Sequence, residues 1–390
     1  MRSLDHEIAD RLKNRGLLEL HPEQQFNLQL NRFLPTDSVA ADVRDAATRI
    51  HDFDDFNREM VALAEKSEQA GDGYAAFCYY EASRFYLGPE QAAERAELTE
   101  KMIDSWVVGW SRYGVERTTV PYGDFNLRVH HFPVDKPRDV VVMFGGYDSY
   151  IEEFTPYAVA LQENGYEVIV FEGPGQGAGI EAGSVMTTQW HKPVGAVLDA
   201  FKVTECTLVG LSMGGCLVIR ASACEPRVKR TIALDILTDM LVVTVRTKEL
   251  AAQVREPSGQ GARDVAQHFE ALAEGNPTAA FMILQGRRVT GSTSTAEYLQ
   301  KISEYVTADV SSQVTSDVLL MAGQDDTYVP YEQFFEQIQT LTNARSISTR
   351  TFTKHENNAA SGHLNCGNGV AAVTVVLDWL DQTLLLNPDV

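Results

Sequence analysis

The chain has 390 residues, 44% of them apolar, which is room for one large globular domain with an insertion or for two domains. Its 33 basic and 54 acidic residues leave a net charge of −21, a field that disfavours nucleic acid and anionic membranes and favours solubility. The opening "MRSLDHEIADRLKNRG" is charged throughout, no run approaches the ~20 apolar residues of a membrane span, and the five cysteines form no CxxC. A reducing, cytoplasmic setting is therefore expected.

Residues 1–112 carry almost no strand signal. Val39, Val43, Ala46, Ala47, Ile50 and Phe53 recur at helical spacing after a cap at Asp37 or Ser38. Gly71-Asp72-Gly73 interrupts the pattern. A second helix, "YAAFCYYEASRFYL", stops at Gly88-Pro89, and a third carries Ala92, Ala96, Met102, Ile103 and Trp106. With no second copy at a fixed period, one helical subdomain over residues 1–112 is expected rather than a repeat array.

The pattern changes at "ERTTVPYGDFNLRVHHFPV", where alternation around a Gly-Asp turn predicts a hairpin. Short apolar runs then alternate with helical stretches: residues 139–144, 166–171, 206–210, 230–237, 317–323 and 346–352. This alternation predicts a mainly parallel sheet covered on both faces, within a core spanning 113–390. The interval 238–308 is too long for a simple connection and has helical character (Leu250, Val254, Phe269, Leu272, Met282, Ile283), so it reads as an inserted helical cap.

In open α/β sheets ligand chemistry gathers at the carboxyl ends of the strands. The run 206–210 passes into "GLSMGG", which requires a strand that ends, a tight turn and an immediate helix, with Ser212 Oγ projecting above the sheet. A serine hydroxyl is a weak nucleophile and needs a base. His363 follows the last predicted strand and precedes the final helix, whereas His355 in the same loop is the rival, and His130 and His131 in the hairpin are structural or exposed. The other strand ends carry "GGYDSY", "EGPGQGAG" and "QDDTYVP". "GPGQG" lacks the Lys-Ser/Thr of a phosphate loop and the spacing of a dinucleotide fingerprint, so it reads as a structural turn near the site mouth. No cofactor or metal motif is present.

The chain resembles the α/β-hydrolase superfamily from about residue 115 to its end. With its helical front end it is similar to the subgroup containing 2,6-dihydroxypseudooxynicotine hydrolase, the fungal polyketide-shortening hydrolases and the fermentation–respiration switch protein. The matching pieces are "AAFCYYEASRFYL", "GGYDSYIEEF", "FEGPGQG", "GLSMGG" and "GQDDTYVP". Two departures stand out: Phe144 where many such hydrolases have His before the glycines, and a long polar loop around His363. The resemblance implies an α/β-hydrolase fold with a helical cap, and a triad of Ser212, His363 and, from the pattern G-x-x-D-x-x-V-P, Asp326 rather than its neighbour Asp325. It implies an oxyanion hole from the backbone N–H of Met213 and of Gly146 or Tyr147. Members cleave esters, amides or carbon–carbon bonds β to a carbonyl, and one is linked to regulatory binding. The expectation is thus a serine hydrolase acting on a small carbonyl substrate through an acyl-enzyme, the alternative being an inert scaffold that binds or regulates. A C–C hydrolase needs an acid for its leaving group; Asp235 and Asp239 are the candidates, either equally a helix cap. Phe77, Tyr79, Tyr80, Phe85 and Tyr86 either wall an aryl pocket or pack helices together. A small molecule is the expected partner, with no nucleic acid and no membrane; a homodimer is compatible with the sequence.

Overall fold

The computed structural model describes residues 4–356 and 360–386. One sheet of eight strands organises them: β1 (Glu116–Tyr122), β2 (Phe125–Phe132), β3 (Val140–Phe144), β4 (Glu167–Phe171), β5 (Cys206–Leu211), β6 (Val228–Leu234), β7 (Asp317–Gly323) and β8 (Ser346–Phe352). Their spatial order is β1-β2-β4-β3-β5-β6-β7-β8. The hairpin of β1 and β2 turns at Gly123, whose φ of 58° suits a residue without Cβ, and β2 runs antiparallel to β4. From β4 through β8 every pairing is parallel. Strands covered on both faces must be apolar along their length rather than alternating, and β5 and β7 are buried at every residue.

Register carries the strand ends to one edge. Phe144 of β3 lies opposite Gly210 of β5, and Leu211 of β5 lies opposite Leu234 of β6. The residues that follow β3, β5, β6 and β7 (Gly145, Ser212, Asp235 and Gln324) therefore emerge side by side. The sequence predicts the sixth strand to run to residue 237, but it ends at Leu234 because Asp235 turns the chain at a φ of 53°.

The front end is helical: His6–Leu12, Gln24–Arg32, Ala40–Ala47, Phe53–Gln69, Gly73–Ser83 and Ala92–Trp110. The first two fall inside the expected helical subdomain, although the sequence reading singles out neither of them. The helix beginning at Gly73 stops at Ser83 rather than continuing to Leu87, because Phe85 and Tyr86 leave it to pack on Phe281 of the cap and on Phe26, Phe53 and Phe56. Tertiary burial of two rings outweighs a few tenths of a kcal/mol of helix propensity per residue. Polar ties also join the front end to the core: Arg32 forks onto Glu153 with both bonds at 2.7 Å, Arg95 pairs with Glu181, and Trp106 Nε1 donates to Thr155 Oγ1. Between β6 and β7 lie the cap helices Met240–Val245, Lys248–Val254, Gln260–Ala273, Pro277–Thr290 and Thr295–Ile302. Among the described residues no helix is long and apolar enough to cross a membrane.

The end of β5 presses directly on the helix that follows it. A Cβ on Gly210 would stand 2.0 Å from the carbonyl oxygen of Gly214. Gly114, by contrast, has φ of 68° and open space around it. Gly210→Ala is therefore expected to cost about 1–3 kcal/mol or more by overpacking, and Gly114→Ala only about 1 kcal/mol of backbone strain. Thermal unfolding of the two variants checks the order; equal melting temperatures contradict it.

Candidate active site

Ser212 joins β5 to the helix Met213–Ser222 with φ 58° and ψ −121°. A non-glycine residue held there costs of order 1–3 kcal/mol and persists only when its surroundings over-determine it. They do. The Ser212 N–H donates to Leu234 O of β6 at 2.9 Å. A Cβ on Gly214 would meet Gly145 O at 2.6 Å, and one on Gly146 would meet Leu211 O and Met213 N at 2.9 Å. Only glycines allow the loop after β3 to close on the turn in this way.

His363 Nε2 lies 2.9 Å from Ser212 Oγ, and its Nδ1 lies 2.7 Å from Asp326 Oδ2. The second oxygen of Asp326 accepts the N–H groups of Tyr328 and Val329, at 2.7 and 3.0 Å, which orients the carboxylate. Asp325 faces away and accepts from Ser361 Oγ at 2.7 Å. His355 is exposed, and Asn357, Asn358 and Ala359 of that loop lie outside the described residues. His130 is buried against the Trp106 ring, and His131 sits between Glu116 and Glu167.

A second carboxylate stands on the same side of the imidazole. Asp235 Oδ2 lies 3.6 Å from His363 Nδ1, and the side chain is 1% exposed. Backbone N–H groups of Gly323 (3.1 Å) and of Leu364 donate to its two oxygens. Burial first, and then the charge of Asp326, raises the Asp235 carboxyl well above the usual carboxylate range. For His363, burial works to lower the imidazole, but Asp326 and then Asp235 outweigh it and raise it to about 9. Asp239 instead caps the helix Met240–Val245 and pairs with Arg255 at 2.8 Å. Neither Asp235 nor Asp239 is among the residues lining the cavity above Ser212.

That cavity has a volume of about 180 Å³. Ser212 and His363 form part of its wall with Leu211, Met213, Tyr147 and Tyr328 of the core. Leu237, Met240, Phe281 and Met282 enter from the cap side, and Leu28, Phe33, Phe77 and Glu81 from the front-end helices. Of the aromatics singled out in the sequence, only Phe77 lines it. Tyr80 is buried and donates its hydroxyl to Glu68, and Tyr79 and Tyr86 are spent on packing, because the residues at 74, 77, 78 and 81 make one face of their helix and those at 79 and 80 do not.

In the loop after β3, the Gly146 N–H is taken by Ser149 Oγ at 3.1 Å. Of the two candidate donors in this loop, Gly146 is therefore the one already engaged. Gln176 braces this loop by donating from Nε2 to Gly145 O and Gly146 O, at 2.7 and 3.0 Å, and Gln285 of the cap donates to Tyr147 O at 2.7 Å. Neither glutamine stands in a catalytic motif; the strand-end position of "GPGQG" is the available signal for Gln176.

Asp235, Asp326 and His363 come within 4.8 Å of one another, near enough for a cation. Their lone pairs are committed, however, to the N–H groups of Gly323, Leu364, Tyr328 and Val329 and to the imidazole itself. The set fits the holding of a proton better than the holding of a metal.

A mainly parallel sheet with a serine on a strained turn after its central strand, faced by a histidine and an aspartate from later strand ends, defines an α/β hydrolase fold. The chain belongs to that family, whose model, described as the alpha/beta hydrolase fold, matches residues 139–364. It is similar to a Fusarium protein named Hydrolase LUC6, at 28% identity over 58% of this chain and 64% of that one. It is also similar to the 20-hydroxy-prefusarin hydrolase FUS2 of Gibberella moniliformis, at 30% identity over 47% and 50%. The chain thus spans about half to just under two thirds of the length of these curated relatives. Among solved structures it shares its fold with 2,6-dihydroxy-pseudo-oxynicotine hydrolase (TM-score 0.65, 19% identity, 90% of this chain and 94% of that one) and with AbyA5 (TM-score 0.69, 20% identity, 94% and 95%).

The charge environment of His363 has a consequence that needs no substrate. Its folded pKa lies above the ordinary value, so the stabilisation it lends is full below about pH 6.5 and is lost as pH rises through about 9. Ring-proton NMR should show His363 titrating near that upper value. Asp235→Asn removes a negative neighbour of Nδ1 and should move the titration to lower pH. An unchanged midpoint contradicts a charged Asp235.

Proposed function

We propose that the protein is a serine hydrolase that cleaves a largely apolar carbonyl compound (an ester, an amide or a β-dicarbonyl) through an acyl-enzyme. The observation that carries this reading is the unbroken hydrogen-bonded chain Asp326–His363–Ser212 opening into an apolar cavity. Ser212 Oγ attacks the carbonyl carbon while His363 Nε2 accepts its proton. Asp326 holds the imidazole in the tautomer that presents Nε2 as acceptor and stabilises the imidazolium as it forms. Charge developing on the carbonyl oxygen is met by the N–H groups of Met213 and Tyr147, aimed in advance and costing no reorganisation. His363 then returns the proton to the leaving group, whichever bond breaks. A water activated by the same imidazole releases the acyl group and restores Ser212. The apolar walls exclude bulk water and strengthen each of these interactions.

An inert scaffold would keep the fold without the chemistry, and a fluorophosphonate probe separates the two. Labelling is expected at Ser212, with Ser212→Ala and His363→Ala each losing on the order of 10³-fold or more in turnover. A wild-type protein that stays unlabelled sinks the proposal.

The acid is tested separately. Asp326→Asn is expected to cost up to about 10⁴-fold in kcat by favouring the wrong tautomer. Asp325→Asn, which touches only Ser361, should cost far less. Equal losses would move the role away from Asp326. Because the base must be neutral, kcat/KM should climb with pH up to about 9.

A further inference from the structure

Glu81 has no counterpart in the chemistry above. It lies on the helix Gly73–Ser83, on the same face as Tyr74, Phe77 and Cys78, and all four line the cavity that Ser212 and His363 line. Its side chain is 3% exposed, and no protein group donates to either carboxyl oxygen. The neighbouring cations are engaged elsewhere. Arg32 is forked onto Glu153 and reaches Asp148 at 3.2 Å. Arg84 stacks over the Tyr150 ring and donates to Met102 Sδ, leaving its nearest nitrogen 3.8 Å from Glu81. A buried polar group without a partner costs its full desolvation, and native proteins keep very few of them.

We propose that Glu81 is the specificity-determining residue for an uncharged oxygen, a hydroxyl or a carbonyl, carried by the substrate away from its scissile carbonyl. This rests on the serine-hydrolase reading. Burial foremost, and then the negative charge of Glu153, raises the Glu81 carboxyl well above the usual carboxylate range, so its neutral form is favoured. A neutral carboxyl donates one hydrogen bond and accepts others. It matches a hydroxyl or a carbonyl and gives no ion pair to a cationic group. On this side the wall combines apolar surface from Leu28, Phe33 and Phe77, which takes an apolar body, with polar groups such as Gln29 and Arg32, the latter already held by Glu153. A site that buries one such group rejects the analogue lacking its partner, because the group is then left unpaired.

The test uses fluorophosphonates that react at Ser212. One parent probe has a plain aliphatic chain, and a matched series carries one hydroxyl at successive carbons. Labelling rates are followed by intact-mass spectrometry on wild type, Glu81→Gln and Glu81→Leu, each with its melting temperature. At least one hydroxylated probe should label wild type about 10-fold or more faster than the parent. Glu81→Gln, which keeps a donor and an acceptor, should retain most of that preference. Glu81→Leu should erase it while labelling at least as fast with the parent probe. If Glu81→Leu does not fold, Glu81→Met takes its place as a flexible apolar isostere. Equal rates for parent and every hydroxylated probe on wild type overturn the proposal without recourse to any variant. So does a preference that survives Glu81→Leu, or variants that shift only the melting temperature. Absence of any labelling overturns the serine reading and this inference with it, whereas labelling without the distinction overturns this inference alone.

Discussion

Ser212 is held at a backbone conformation that its own side chain disfavours, and the rest of the site follows from how that is done. The residue follows β5, with β3 on one side and β6 on the other, so both neighbours reach it: Leu234 O takes its N–H, and Gly145 and Gly146 close against its turn. A strain of order 1–3 kcal/mol is tolerable because the flanking strand is buried throughout and the helix at every residue but Arg220, so neither can relax around it. The glycines at 146, 210 and 214 are thus parts of one packing solution, in which a methyl group at any of the three meets backbone.

The second constraint is electrostatic. Two carboxylates, Asp326 and Asp235, share the Nδ1 side of one imidazole, and both are almost fully withdrawn from water. Two negative charges so near each other are unfavourable unless a cation or hydrogen-bond donors offset them. The backbone provides donors in pairs, Tyr328 and Val329 for Asp326, Gly323 and Leu364 for Asp235. Supplying the Leu364 N–H accompanies left-handed conformations at Leu364 and Asn365, directly after the histidine, and Asp235 is itself left-handed. Four of the eight left-handed non-glycine residues among the described residues, Ser212, Asp235, Leu364 and Asn365, therefore stand around the serine and the histidine, as expected where a site is held rigid.

The front-end helices meet the site as part of the cavity wall, through Leu28, Phe77 and Glu81, at a remove from the serine. Their ties to the core, Arg32 to Glu153 and Arg95 to Glu181, are charged pairs at least partly shielded from solvent. Phe85 stacks on Phe281, so the front end and the cap meet above the strand ends and close the cavity between them. Water exclusion and substrate shape are then joint properties of three parts of the chain that are far apart in sequence.

Much of the architecture was readable from residue order. Buried parallel strands must be continuous apolar runs, so β3, β4, β5, β7 and β8 could be located to within a residue or two, and "GLSMGG" required a sharp turn at Ser212. The order of serine, aspartate and histidine after successive strands likewise pointed to Asp326 and His363, because strand ends converge whatever fills the intervals. Local pattern could not say that Asp235 would leave β6 early and stand beside the imidazole, since its conformation depends on donors 88 residues further on in β7 and 129 residues further on in the loop after His363. Nor could it separate Phe77 and Glu81 from Tyr79 and Tyr80. All four lie on a helix buried along most of its length with almost no amphipathic contrast, so which face meets the cavity is set only when the helices Phe53–Gln69 and Ala92–Trp110 pack against its other faces. Periodicity reports that a side chain is buried; tertiary packing alone decides against what.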